Sequence, residues 1–172
     1  MDDLINCEYK IITIDTDTAT FTNTTYCDFY INLDEPLRNV YKINLITMLL
    51  NIPNNSSLKT PLNQIYVNLN NYNRLISKNY NIFDGKRSNI NVFDSIIVED
   101  QIVDNTSSNN TTLKNEYNNA DSIYYLNPIE PQLMRFSLKL TDKYNNNILK
   151  SDINRFIIKI GIYYNNKKTT RI

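Results

Sequence analysis

The stretch FYINLDEPLRNVYKINLITMLLNIP, residues 29–53, decides the fold. It parses as two strands joined by a turn, or as one strand followed by a helix that begins near Asn39. Phe29, Ile31 and Leu33 alternate with Tyr30, Asn32 and Asp34, the period of two that turns one face inward and one outward. Asp34-Glu35-Pro36 reads as the end of that strand, because proline fixes φ and withholds a ladder donor. Beyond it, Tyr41, Ile43 and Leu45 alternate with Lys42 and Asn44. After Leu45 the polar face disappears, and Leu45, Met48 and Leu49 have the spacing of a helix face. Against a helix stand the clean alternation before Leu45, the stiff χ1 of Val40, Ile43, Ile46 and Thr47, and the lack of a capping box. The reading is a second strand, buried on both faces towards its end, with Pro36 as the corner between the two.

The same pattern continues outward. Residues 9–26 are Thr-rich and β-branched; Ile12 and Ile14 alternate with Ile11 and Thr13, and Asp15-Thr16-Asp17 reads as a turn. Residues 51–61 are a loop rich in Pro, Asn and Ser. Residues 64–69 (QIYVNL) and 89–99 (NINVFDSIIVE) read as strands, the second with Ile96, Ile97 and Val98 buried. Residues 70–88 are polar, hold an Asp84-Gly85 turn signal and read as a long loop. Residues 100–120, almost all Asn, Thr, Ser and charge, read as a mobile loop or one ordered only by a neighbour. Ile123–Leu126 is a strand closed by Asn127-Pro128. Met134, Phe136, Leu138 and Leu140 then alternate with Arg135, Ser137, Lys139 and Thr141, a half-buried antiparallel strand. After a turn at residues 144–147, Phe156, Ile158, Ile160 and Ile162 alternate with Arg155, Ile157, Lys159 and Gly161. β-branched density and Gly161 favour a strand there over a helix. Eight or so short strands spaced by turn signals make an all-β, antiparallel β-sandwich or barrel in one domain, residues 1–172.

Composition narrows the function. The chain has 172 residues, 41% of them hydrophobic, and zero net charge. That length suffices to hold a core without disulfide or metal. Asn is about one residue in six while glycine occurs only twice, so Asn stands where glycine usually turns the chain, as in Asn145-Asn146-Asn147 and Asn165-Asn166. No basic stripe points to nucleic acid, and Lys167, Lys168 and Arg171 in the basic tail 165–172 read as a solvated end. Cys7 and Cys27 make no framework and are expected to be reduced thiols. No secretory signal or membrane-spanning run is seen, so a cytoplasmic setting is expected.

Catalytic chemistry finds no foothold. With no His there is no Ser-His-Asp arrangement and no histidine metal site. The glycines cannot form a phosphate loop or a dinucleotide fingerprint. Asp15 and Asp17 lack the glycine and closing Glu of a calcium loop. Asp34-Glu35 and Glu99-Asp100 sit at strand ends and read as solvated turns. No catalytic residue, metal or cofactor is expected. Thirteen tyrosines could form a sugar-stacking platform if they cluster on one open face.

Two segments carry a resemblance. Leu33, Pro36, Leu37, Arg38, Asn39, Val40 and then Ile52-Pro53, preceded by Phe29 and Ile31, resemble the opening of small jelly-roll capsid proteins of nucleocytoplasmic large DNA viruses (giant viruses) and their virophages. Tyr124-Tyr125, Pro128, Leu133, Phe136, Leu138, Leu140 and Thr141-Asp142 are similar to that family's late pattern, and INRFIIKIGIYY to its closing strand. The turn KYNNN departs from it by lacking a glycine. The resemblance covers about half the chain and implies a single jelly roll of about eight strands. It also implies a structural role in an icosahedral virion assembled in the host cytoplasm, as a minor capsid protein or a penton. The implied partners are the major capsid protein and other minor capsid proteins, with a homo-pentamer if it is a penton. Contacts would come from loops 70–88 and 100–120 and the tail. A carbohydrate- or receptor-binding β-sandwich module is the alternative.

Overall fold

A computed structural model describes residues 7–53, 56–58, 64–72, 75–80, 87–97, 110–116 and 123–166. The described strands, in chain order, are β1 (Glu8–Asp15), β2 (Thr20–Phe21), β3 (Asp28–Pro53), β4 (Gln64–Leu69), β5 (Leu75–Tyr80), β6 (Arg87–Val92), β7 (Asp94–Ile97), β8 (Asn110–Glu116), β9 (Ile123–Thr141) and β10 (Arg155–Tyr164), with a 3-10 turn at Lys150–Asp152. Every pairing among them is antiparallel.

The deciding stretch is strand throughout, so the helix alternative is excluded, but it is one strand and not two. Residues 28–32 pair with residues 135–139 of β9. Residues 33–36 then loop out, four of them opposite Met134 alone, before Leu37 meets Leu133. Pro36 sits in this bulge, where no β9 partner asks for its missing N–H, and so it does not end the strand. A second irregularity compensates the first. On β9, residues 126–129 stand opposite Tyr41 alone, and Lys42 faces Tyr125 in the original offset. Asn127-Pro128 therefore lies inside a 19-residue strand and does not close it. The peptide between them is cis. Asn39 takes φ 50° in this corner.

The bends let β3 and β9 each serve two layers. One layer orders β1, β10, residues 42–53 of β3, and β8. The other orders residues 28–32 of β3, the second half of β9, β4 and β7. The layers enclose one core in which Ile14, Ile158 and Ile162 from the first join Phe29, Ile65, Ile96 and Phe136 from the second. Phe29 touches Phe156 across the gap, ring centroids 6.4 Å apart in an edge-on arrangement. The sheet thus curls on itself into an all-β sandwich.

Several local expectations change. The polar stretch 70–88 is not a plain loop: it carries β5 and the start of β6, a paired hairpin, with Asp84-Gly85 outside the described residues. Likewise 100–120 contains β8, which pairs with residues 47–53 of β3; the remainder of that stretch lies outside the described residues. The strand expected over 89–99 divides at Phe93 into β6 and β7; Ile96 is buried, Ile97 exposed, and Val98 lies outside the described residues. Met134 is 58% exposed, not a core position, because the bulge breaks the alternation and puts Leu133 inward instead. The turn expected at residues 144–147 is present and spans 142–146. Asn145 adopts φ 66°, and Asp142 accepts from the backbone N–H of Tyr144 and of Asn146 at 2.8 Å each. Asn70 also adopts a positive φ, whereas Asn165 and Asn166 do not.

Candidate functional site

The residues singled out in the two motif segments are brought together, but as core and corner. Phe29 pairs with Leu138, Ile31 with Phe136 and Leu37 with Leu133, so the segments zip against each other as β3 and β9. Phe29, Leu37, Val40, Leu133, Phe136, Leu138 and Leu140 are buried, and Ile31, Leu33 and Tyr124 pack at the core's margin. Pro36, Asn39 and Pro128 shape the bulged corner, and Pro53 ends β3. Only Tyr125, 66% exposed, presents a large apolar surface to solvent.

Tyr125 belongs to a row that the sequence reading did not assemble. Tyr9 of β1 stands opposite Tyr163 of β10, Tyr163 opposite Lys42 of β3, and Lys42 opposite Tyr125 of β9. Directly opposed residues share a face, so four strands contribute one side chain each to a line across the outer surface of the first layer. Tyr9 and Tyr163 are 4.7 Å apart between centroids, and Tyr41 reaches Tyr163 at 6.3 Å. The Lys42 ammonium lies 4.1 Å from the Tyr163 ring centre and 5.9 Å from that of Tyr125, a cation held over aromatic faces. The next row holds Ile11, Gly161, Asn44 and Ile123. Ile11 is 57% and Tyr9 48% exposed, so this end of the face is open and apolar.

Gly161 is part of the construction. A Cβ there would meet the Tyr9 ring at 2.6 Å, so the absent side chain is what lets that ring lie across β10. Tyr9 and Tyr41 remain protonated at neutral pH. Burial, followed by Tyr163, raises Tyr9, while Tyr41 is pushed up to about 12 by burial, then by Cys7, Tyr163 and Tyr125. The far end of the same face is charged. Arg155 binds Asp15 through Nη2 at 2.6 Å and Nε at 3.1 Å, and reaches Asp17 at 3.1 Å. That arrangement explains the two aspartates as partners of a guanidinium. The outer surface of the second layer is polar by contrast: Arg135 lies over Tyr30, and Asn70 Oδ1 accepts from Ser137 N–H at 2.7 Å.

Among the described residues no group of three or more His, Cys, Asp or Glu could hold a metal ion. Cys7 and Cys27 are both free thiols. No described helix is long and apolar enough to cross a membrane. No protein-family model matches the chain, and no curated protein matches its sequence.

Proposed function

We propose that the chain is a jelly-roll structural subunit of an icosahedral large DNA virus, a minor capsid or penton protein that docks on neighbouring shell proteins. Strand order carries this reading. Taken in chain order, β1, residues 28–32, residues 42–53, β4, β7, β8, the second half of β9 and β10 form eight segments. One layer takes the first, eighth, third and sixth, and the other the second, seventh, fourth and fifth. That interleaving supports a double-sheet jelly roll, and the resemblance of the two motif segments to the capsid family points the same way. A shell subunit works by surface complementarity, and the tyrosine row has the composition of an interface centre: aromatic, part exposed, with a single cation. Its partners are the major capsid protein and other minor capsid proteins, within the virion and during its assembly in host cytoplasm.

The test is compositional and then positional. Purified particles of the virus that encodes the chain contain it at a fixed stoichiometry by mass spectrometry, and a reconstruction shows its sandwich beneath the capsomers or five copies at a vertex. A particle lacking the chain refutes the reading.

The tyrosine row also favours a second reading, a carbohydrate-binding β-sandwich, because Tyr9 and Tyr125 leave ring surface open to stacking. A glycan array separates the two. Binding abolished by Tyr125→Ala with Tyr9→Ala supports the second reading, and a blank array retires it.

A further inference from the structure

β1 is the open edge of the first layer. Among the described residues it pairs with β10 alone. Glu8, Tyr9, Lys10 and Ile11 are exposed on both faces of the strand. A cleft of about 520 Å³ between residues 10–13 of β1 and residues 30–37 of β3 keeps the edge clear of the second layer. An unpaired edge is a template for another strand. The residue after the strand fixes which groups point outward. Thr16 N–H donates to the Phe156 carbonyl at 3.0 Å, in the same register that pairs Ile14 with Ile158. Bonding alternates along an antiparallel ladder, so the even-numbered residues of β1 bond to β10, and Tyr9, Ile11 and Thr13 turn N–H and C=O to the open side. The open stretch ends at Asp15, whose carbonyl already accepts from the Thr18 N–H at 3.1 Å and the Thr18 hydroxyl at 3.2 Å.

This edge is complementary to itself. A two-fold axis that pairs two copies of β1 antiparallel must match odd residues with odd ones, so it passes through a single residue between 8 and 12. Through Glu8 or Lys10 it sets two like charges directly opposite each other, which is destabilising. Through Ile11 it puts Glu8 opposite Ile14 and Lys10 opposite Ile12, and it asks for the Asp15 carbonyl that Thr18 holds. Through Ile12 it asks for that carbonyl again. Through Tyr9, Glu8 of each copy meets Lys10 of the other, and Tyr9 meets Tyr9 on the outer face. Neither Glu8 nor Lys10 has an ion-pair partner among the described residues. Tyr164 stands opposite Glu8 on β10 and is raised by burial, then by the hydrogen bond and charge of Glu8, then by Glu35. Two carboxylates thus gather where the second copy's Lys10 arrives. The tyrosine row also continues unbroken into the second copy, because Tyr9 is its last member. We propose that the chain forms a two-fold dimer through β1, centred on Tyr9 and flanked by two Glu8–Lys10 ion pairs, which joins the two first layers into one sheet. This pairing is independent of the virion reading.

Analytical ultracentrifugation of the full-length chain tests it through a charge swap. The wild type, a chain of 20.2 kDa, sediments as a dimer in the micromolar range and dissociates on dilution. Glu8→Lys alone and Lys10→Glu alone each turn two attractions into two repulsions, and each weakens the dimer by about tenfold or more. An equimolar mixture of the two variants restores it, because each copy then carries the complement of the other. Far-UV circular dichroism confirms that both variants fold as the wild type does. Oxidative crosslinking reads the register in a Cys7→Ser background, which leaves only the buried Cys27. Tyr9→Cys crosslinks, since residues paired at the axis lie about 5.5 Å apart between Cα atoms, within disulfide reach. Ile11→Cys does not, because its two copies stand four residues apart along the pair, roughly 14 Å. A wild type that stays monomeric throughout the micromolar range overturns the proposal. So do single variants that dimerise like the wild type, a mixture that fails to associate, or crosslinking at Ile11→Cys in place of Tyr9→Cys.

Discussion

Replacing Phe29 with alanine tests whether the two layers face each other as described. Phe29 is fully buried on residues 28–32 of β3, and its ring meets Phe21 at 5.5 Å within its own layer and Phe156 at 6.4 Å across the core. Removing a buried phenylalanine ring forfeits its transfer free energy and leaves a cavity, together about 3–5 kcal/mol. A domain of this size is stable by about 5–15 kcal/mol, so the variant remains folded but much weakened. At about 2–4 °C per kcal/mol, the midpoint falls by roughly 6–20 °C. Urea and thermal unfolding followed by circular dichroism measure both quantities. A double-mutant cycle with Phe156→Ala isolates the contact between layers, and an edge-on pair at this separation is expected to couple by about 0.5–1.5 kcal/mol. Met134→Ala is the control: an exposed side chain on β9 changes stability by no more than about 0.5 kcal/mol, although the bare alternation places it in the core. Additive losses from Phe29→Ala and Phe156→Ala refute the facing layers, and a large loss from Met134→Ala refutes the bulge.

Three further outcomes follow from local chemistry. The hydrogen bond from Arg155 holds Asp15 below the ordinary carboxylate range, so the folded form favours its charge. The resulting stability is complete above the unfolded value of about 3.9 and is lost as pH falls through the folded one. Melting temperature in acid therefore drops more steeply in the wild type than in Asp15→Asn, and parallel curves refute the pairing. Asn145 at φ 66° predicts that Asn145→Gly is tolerated while Asn145→Val costs about 1–2 kcal/mol in urea unfolding, since a β-branched residue is strained there. Burial pushes the Cys27 thiol up to about 12, with Lys150 offsetting part of the rise, whereas Cys7 is exposed. A thiol reagent at mild alkaline pH labels Cys7 quickly and Cys27 only on unfolding; two equal rates contradict the burial.

The fold was legible where side chains alternate against one core. β4 and β10 fall where their apolar periods place them, and the turn at Asn145 follows from a shortage of glycine. The misses share a cause. β8, with the sequence NTTLKNE, owes its strand to backbone pairing with residues 47–53 of β3, and such pairing leaves little trace in side-chain pattern. The hairpin of β5 and β6 is polar for the same reason. Pro36 and Asn127-Pro128 looked like strand ends because proline breaks ladders, yet each occupies a bulge where the opposite strand offers no partner. Neither bulge is visible alone; what makes them tolerable is that the second restores the offset the first removes. The tyrosine row was less legible still, since Tyr9, Lys42, Tyr125 and Tyr163 become neighbours only once three registers are known.

The ambiguity inside residues 29–53 has a physical origin of its own. Between β3 and β10 the pairing slips once: Thr47 faces Lys159 and Leu45 faces Ile160, which leaves Ile46 as an extra residue on β3. Two buried positions, Leu45 and Met48, are therefore three apart rather than two. That spacing imitates a helix, and it is the mark of a bulge. The slip absorbs Ile46 without moving either face. Across it Leu45 still meets Ile160 and Met48 still meets Ile158, both inward, while Lys42 opposes Tyr163 on the outer face, over its ring and beside Tyr125. Were Ile46 absent, Leu45 and Thr47 would be consecutive against Ile160 and Lys159, and the alternation would run unbroken. Deleting Ile46 is accordingly expected to remove the bulge and to keep both the core and the tyrosine row, and a collapse of the fold on its deletion refutes this register.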